Sequence, residues 1–235
     1  MHHRAILRTL VIAPLLAVLA LTVHASTTRV DEALKAALAL DANRAHGATL
    51  YREQCQSCHG AQATGDAHNL VPSLAGQRER YLVKQLADFV EFERESSDMH
   101  KMVAASGLDA PQAMIDVAAY LNGLPVLQHP QTGDGSLVQL GEGMFQEQCA
   151  SCHGHDARGD EDGFVPSLRN QHYAYLLQQM RKLAAGHRND VDPDLVRFID
   201  SLDSEELTAL SDYLSRLHGP VTDRRRMRDD GTVAD

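Results

Sequence analysis

Cys55-Gln56-Ser57-Cys58-His59 and Cys149-Ala150-Ser151-Cys152-His153 decide the reading of this chain. Both strings run CxxCH. Two thiols three positions apart match the two vinyl groups of one haem. An imidazole in the next position lies under the iron as its proximal ligand. A redox CxxC pair has no need of that histidine, and a four-cysteine zinc site has no reason to repeat Cys-His-Gly. The two strings use all 4 cysteines of the chain. The sequence therefore predicts two covalently bound haem c groups, held by Cys55 and Cys58 and by Cys149 and Cys152, with His59 and His153 on the irons.

The surroundings of the two strings repeat as well. Gly47 and Tyr51 precede the first as Gly141 and Phe145 precede the second. Val71-Pro72-Ser73-Leu74 returns 94 residues later as Val165-Pro166-Ser167-Leu168. Gln77, Tyr81 and Gln85 return at the same spacing as Gln171, Tyr175 and Gln179, and Tyr120-Leu121 returns 93 residues on as Tyr213-Leu214. This is a tandem duplication, so each half is expected to be a unit with its own haem. Neither half has much apolar area of its own, and a flat apolar haem would complete each core.

The periodicity is helical. Tyr81, Leu82, Gln85, Leu86, Phe89 and Val90 share one face, as do Ile115, Val117, Ala118, Leu121 and Leu124. Their counterparts span 175–183 and 207–217. Asp109-Ala-Pro111 and Ser204-Glu-Glu-Leu207 read as helix starts, and an Ala/Leu-rich stretch over 30–42 reads as a further helix. No alternating strand pattern and no nucleotide-binding fingerprint is present. The fold class expected is all-α: two tandem domains, each a few helices around one covalently bound haem.

Five segments follow. Arg4 and Arg8, then an apolar run over 10–23 and Val23-His24-Ala25, give a secretory signal peptide over 1–25. The rival reading is an uncleaved anchor; no other segment is apolar enough to span a bilayer. Residues 26–124 form the first domain with an N-terminal extension, 125–136 a linker with Pro130, Gly133 and Gly135, and 137–219 the second domain. The polar stretch 220–235 reads as a disordered tail. An exported chain with covalent haem implies a periplasmic location.

The chain carries 22 Lys+Arg against 32 Asp+Glu, a net charge of −10, and loss of the leader with Arg4 and Arg8 would take it to −12. That excludes nucleic acid and anionic membrane surfaces as natural partners. It suits redox partner proteins with a basic docking patch, or simple solubility.

With Leu74-Ala-Gly-Gln77, Tyr81-Leu-Val-Lys-Gln-Leu86 and Ala118-Ala-Tyr-Leu121, the sequence resembles the diheme class I c-type cytochromes of the cytochrome c4 type, over about Gly47 to Leu217. The resemblance implies cytochrome c domains. It also implies that the carbonyls of Pro72 and Pro166, each 13 residues after the histidine, accept its other ring N–H. The distal ligand in such proteins is a methionine 18 residues before the last-helix tyrosine. Counting back from Tyr120 reaches Met102, with Met99 nearby; Met114 falls inside the helix as core.

Repeat two departs from the pattern. Counting back from Tyr213 reaches Leu195, and no methionine lies between Asp190 and Leu217. The second iron is then five-coordinate, or takes His187 from the same loop, or is reached by Met180 or Met227. Met180 matches Leu86 and reads as core, Met227 lies in the tail, and His172 reads as a surface residue.

The resemblance implies electron transfer in a respiratory chain toward a terminal oxidase or reductase. An electron carrier is expected rather than an enzyme. The competing class is a haem enzyme or a binder of NO, CO, O2 or peroxide at an open second haem. The missing methionine favours that class; the apolar Leu195, Val196, Phe198 and Ile199 speak against it.

Overall fold

The computed structural model describes residues 29–188 and 190–219; the expected signal peptide over 1–25 and the tail over 220–235 lie outside them. A first helix, α1, covers 29–38. Repeat one then contains α2 (Arg44–Leu50), a π-helical turn (Tyr51–Cys55), α3 (Gln56–His59), α4 (Glu79–Val90), α5 (Ser97–Ser106) and α6 (Pro111–Asn122). Repeat two contains α7 (Val138–Met144), a second π-helical turn (Phe145–Cys149), α8 (Ala150–His153), α9 (Tyr173–Ala184), α10 (Pro193–Asp200) and α11 (Ser204–Ser215). Among the described residues there is no strand beyond three isolated bridges, so the all-α expectation holds.

In each repeat the first helix crosses the last: α2 on α6, and α7 on α11. Glycine makes the crossing possible. A Cβ on Gly47 would collide with the carbonyl of Asp116, and one on Gly141 with the carbonyl of Ala209. One turn later an aromatic pair seals it. Tyr51 meets Tyr120 with ring centroids 5.6 Å apart, and Phe145 meets Tyr213 at the same 5.6 Å. Tyr51 and Phe145 are both fully buried. α4 packs on α6 and α9 on α11, which places the expected apolar stripes inward.

Helix ends follow local chemistry. Asp203 caps α11 by accepting from the Glu205 and Glu206 backbones while Glu206 reaches back, a complete capping box. The helix starts at Ser204, as expected, with its cap one residue before. α6 opens on Pro111 at its first turn, where a missing N–H costs nothing.

The cores are unequal. α1 adds Val30, Leu34 and Ala37 to the buried cluster of repeat one, which also holds Leu82, Val83, Met114 and Val117. Repeat two has two smaller clusters, one around Leu210 and Leu214 and one around Leu177, Ile199 and Leu207.

The repeats meet across a polar seam. Arg94 and Arg188 pair by their backbones in an isolated antiparallel bridge. The Arg94 guanidinium donates to Tyr175 Oη at 2.7 Å, to Gln179 Oε1 at 3.0 Å and to Gln85 Oε1. Arg188 donates to Gln179 Oε1 and Gln85 Oε1, both at 3.3 Å, and closes a two-pronged ion pair on Asp190 at 2.9 and 2.6 Å. His172, expected at the surface, is buried at this seam. Its Nε2 lies 2.9 Å from the Thr64 carbonyl, and its Nδ1 accepts from the Gln131 backbone at 3.1 Å. Arg78, its counterpart in repeat one, donates to the carbonyls of Arg158 and Gly159. Reciprocal contacts of this kind are what a two-fold relation between the repeats produces.

Candidate haem sites

Each CxxCH string is shaped by the chain on both sides. The π-helical turn ahead of it is closed by the Gln56 N–H donating to the Tyr51 carbonyl, and in repeat two by Ala150 to Phe145. Such one-turn widenings re-aim side chains and recur at functional sites. A single helical turn, α3 or α8, then carries the second cysteine and the histidine. It stops at Gly60 (φ +80°) or Gly154 (φ +77°), backbone angles that a residue with a Cβ rarely adopts. The chain folds back at once: Gly65 N–H donates to the His59 carbonyl at 3.0 Å, and Gly159 to that of His153 at 2.8 Å. Small bridges between Asp66 and Val71 and between Asp160 and Val165 close the loop.

The reversal sets a proline carbonyl against each histidine. His59 Nδ1 lies 3.1 Å from the Pro72 oxygen, and His153 Nδ1 lies 3.1 Å from the Pro166 oxygen. A carbonyl only accepts, so each Nδ1 carries the proton and each Nε2 presents a lone pair. Neither Nε2 has a hydrogen-bond partner among the described residues. Burial lowers the basicity of both imidazoles, and the carbonyl bond opposes that shift only in part. Neutral imidazoles with one oriented free nitrogen suit a metal ion.

The thiols fit covalent attachment. None of the four is in a disulfide: Cys55 is buried, Cys149 half-buried, and Cys58 and Cys152 exposed. Burial pushes Cys55 and Cys149 up to about 11, and the neighbouring cysteine adds to the rise in each case. Zinc lacks a donor set: among the described residues no three His, Cys, Asp or Glu side chains converge to hold an ion. The paired thiols with one free imidazole nitrogen are the donor set haem c requires.

The distal segments differ between repeats. Ser96 caps α5, with its side chain accepting from the Met99 backbone at 3.5 Å. Met99 and Met102 are both half-buried against the core of repeat one, and Met102 Sδ accepts from Ser106 Oγ at 3.6 Å. In repeat two Asp192 caps α10, which has 8 residues against the 10 of α5. From cap to last-helix tyrosine is 24 residues in repeat one and 21 in repeat two. Counted from the tyrosine, Leu195 stands in for Met102. Counted from the cap, Leu195 stands in for Met99 and Phe198 for Met102. Neither frame supplies a thioether, and Leu195 and Phe198 both pack into the Leu177–Ile199–Leu207 cluster.

The substitute ligands make other contacts. His187 is exposed and its Nδ1 lies 2.5 Å from Glu95 Oε2 across the seam, a contact that leaves its Nε2 without a hydrogen-bond partner among the described residues. Met180 packs between the two clusters of repeat two and its Sδ accepts from Ser211 Oγ at 3.4 Å. Met227 lies outside the described residues. Sequence reasoning missed the Glu95 partner of His187, which lies 92 residues away and leaves no local signal.

Comparison with known proteins agrees with this geometry. The family model described as Cytochrome c matches twice, over residues 44–125 and 138–218. A cytochrome c4 of Azotobacter vinelandii is 32% identical over 182 residues, covering 70% of this chain and 84% of the relative. A protein of Stutzerimonas stutzeri named thiosulfate dehydrogenase electron acceptor is 28% identical over 198 residues, covering 77% and 90%. The crystal structure of reduced recombinant cytochrome c4 from Pseudomonas stutzeri superposes with a TM-score of 0.66 at 29% identity, covering 76% of this chain and 100% of that one. Matched in both of its halves, the chain belongs to the cytochrome c family and is a diheme electron-transfer protein with two covalent haem c groups.

Proposed function

We propose that this protein is a periplasmic electron carrier in a respiratory chain. Cys55 and Cys58 hold haem one, Cys149 and Cys152 hold haem two, and the Nε2 atoms of His59 and His153 bind the irons. Met102 would supply a thioether to the iron of haem one. The observation that carries this reading is the duplicated bond from histidine Nδ1 to proline carbonyl, 3.1 Å in both repeats, directly after a complete CxxCH string.

The haem supplies a one-electron couple at a site that needs no substrate. The protein does the rest. The carbonyls of Pro72 and Pro166 fix the tautomer and plane of each imidazole and raise its donor strength. The Met102 thioether is a soft ligand that favours Fe(II) and raises the potential of haem one. Haem two lacks such a partner. With Met180 in the core and no thioether in its distal segment, haem two would be left open on that side or be held by the free Nε2 of His187, and its potential would be the lower of the two. The acidic surface suits donors and acceptors with a basic docking patch. A relative named as the electron acceptor of a thiosulfate dehydrogenase supports a donor of the exported-dehydrogenase class. Among the described residues no helix is long and apolar enough to cross a membrane.

Intact mass and a pyridine haemochrome assay on protein matured in a periplasm test the assignment. Two haems are expected, falling to one in Cys55→Ala/Cys58→Ala and to one in Cys149→Ala/Cys152→Ala. Two haems retained in either variant would overturn the attachment sites.

A binding or catalytic role for haem two is the second reading. The three-residue shortening of its distal segment, with no thioether in either frame, favours it. Leu195 and Phe198 pack in an apolar cluster, which favours ligand binding over peroxide chemistry.

A further inference from the structure

The loop that orients each histidine is finished by the other repeat. Gln171, in repeat two, lays its carboxamide along Ser73 of repeat one. Its Oε1 accepts from the Ser73 N–H at 2.9 Å and its Nε2 donates to the Ser73 carbonyl at 2.9 Å. Gln77, in repeat one, does the same to Ser167 of repeat two. Its Oε1 accepts from the Ser167 N–H at 2.8 Å and its Nε2 donates to the Ser167 carbonyl at 2.9 Å. Both are two-pronged and both cross the seam; within its own repeat each Oε1 also accepts from the next residue's N–H, Gln77 from Arg78 at 2.8 Å and Gln171 from His172 at 3.1 Å.

The peptides involved matter. The Ser73 N–H belongs to the same peptide unit as the Pro72 carbonyl, which accepts from His59. The Ser167 N–H belongs to the unit whose Pro166 carbonyl accepts from His153. The chain of bonds therefore runs Gln171, peptide 72–73, His59 on one side, and Gln77, peptide 166–167, His153 on the other. Donation from a peptide N–H drives electron density toward its own carbonyl oxygen, because the unit is conjugated. That oxygen then accepts more strongly from the histidine. A histidine whose Nδ1–H is held more tightly has a more electron-rich Nε2, which stabilises Fe(III) over Fe(II) and lowers the potential.

We propose that Gln171 and Gln77 are crossed positioning residues: each polarises the peptide that holds the proximal histidine of the other repeat, and so sets the potential of the other repeat's haem. The inference rests on His59 and His153 being the proximal ligands. It deepens that reading by making each haem's potential a property of the closed seam and not of one repeat alone. The bonds of Gln171 to Ser73 are fully buried, whereas those of Gln77 to Ser167 are partly buried. A bond shielded from water polarises its partner more, so haem one responds more than haem two.

The test is spectroelectrochemistry of the holoprotein and its variants. Haem one is followed by the thioether charge-transfer band of its oxidised form, and the pair by the Soret change. NMR of the hyperfine-shifted histidine ring protons runs in parallel. Gln171→Leu removes both prongs and is expected to raise the reduced-to-oxidised ratio of haem one about threefold to tenfold at fixed potential, roughly 30–59 mV for one electron. Haem two should move by less than a third of that. Gln77→Leu should give the mirror pattern, with the smaller shift on haem two. Gln171→Glu keeps an oxygen for the Ser73 N–H, now charged and a stronger acceptor, and should take haem one below its original potential. Should Gln171→Leu fail to load both haems, the pair Gln171→Glu and Gln77→Glu carries the test, since each should lower the opposite haem more than its own. A larger shift on the haem of the mutated repeat, equal shifts on both, or no shift would overturn the inference. Histidine resonances missing from the shifted set of the unmodified protein would instead overturn the ligand assignment, which keeps the two failures apart.

Discussion

Gly47 lies so close to the carbonyl of Asp116 that no methyl group could stand between them. The contact fixes the crossing of α2 on α6 and so the start of the haem-binding turn that follows Tyr51. An alanine there would gain helix propensity of about 1 kcal/mol but would force the helices apart. Gly47→Ala is expected to destabilise the holoprotein by roughly 1–3 kcal/mol net, and Gly141→Ala to do the same in repeat two. Urea unfolding followed by the Soret band checks both. An unchanged midpoint in either variant would show that the crossing yields without cost.

Asp88 gives the seam a pH dependence. Burial pushes its carboxyl up from 3.8 to about 7; the Lys84 ammonium, 2.7 Å away, pulls it down, and Asp190 adds to the rise. Between the ordinary value and about 7 the folded protein holds a proton that the unfolded chain has released. This group's contribution to stability is therefore present in full at low pH and is lost as pH rises through about 7, with a slope of at most about 1.4 kcal/mol per unit. Asp190, which its Arg188 partner holds down at about 2 against its own burial, acts with the opposite sign and only in strong acid. Asp88→Asn is expected to flatten the stability profile between about pH 4 and pH 7. A profile as steep as that of the unmodified protein would assign the slope to other groups.

Met102→Ala should abolish the thioether charge-transfer band at the red end of the oxidised spectrum. Met99 lies one helical turn away on α5 and is equally half-buried. If the band survives Met102→Ala and is lost in Met99→Ala, the ligand is Met99.

Carbon monoxide should bind the reduced protein at about one equivalent, at haem two. The two frames of the shortened segment then make separate forecasts. If the last helix sets the position of the distal ligand, Leu195→Met suppresses the binding and adds a second charge-transfer band. If the cap of α10 sets it, Phe198→Met does so. Two equivalents of carbon monoxide would refute the asymmetry between the haems, and none, with binding restored in His187→Ala, would give haem two a histidine as its second ligand.

Covalent chemistry and its immediate frame were legible in the sequence. CxxCH, the proline 13 residues on, and the paired Gly and aromatic residues are local signals, repeated twice, and the structure reads as they do. The apolar stripes gave α4, α6, α9 and α11 because burial imposes a period of 3.6 on a helix. α5 carried only a weak stripe, and the short stripe of α10 (Leu195, Phe198 and Ile199) went unread, so both were seen only as loops bearing, or lacking, methionine. The seam was not legible. Gln77 and Gln171 were visible as a repeat, but their partners Ser167 and Ser73 lie 90 and 98 residues away. Arg94 and Arg188 likewise carry no local signal until Tyr175, Gln179 and Asp190 are placed around them. Pairings that depend on two domains docking leave no period and no motif.

The connection between Asn122 and Val138 has a consequence for how the seam is built. Two separate copies meeting through buried arginines, carboxylates and carboxamides would have to recover the full cost of desolvation and lost translation. Joined by so short a tether, the halves meet at an effective concentration on the order of millimolar, whatever the dilution of the protein. A contact too feeble to make a dimer is then enough to stay shut. The tether thereby frees the interface from having to be greasy, and leaves room at the joint for polar groups that face both haem loops.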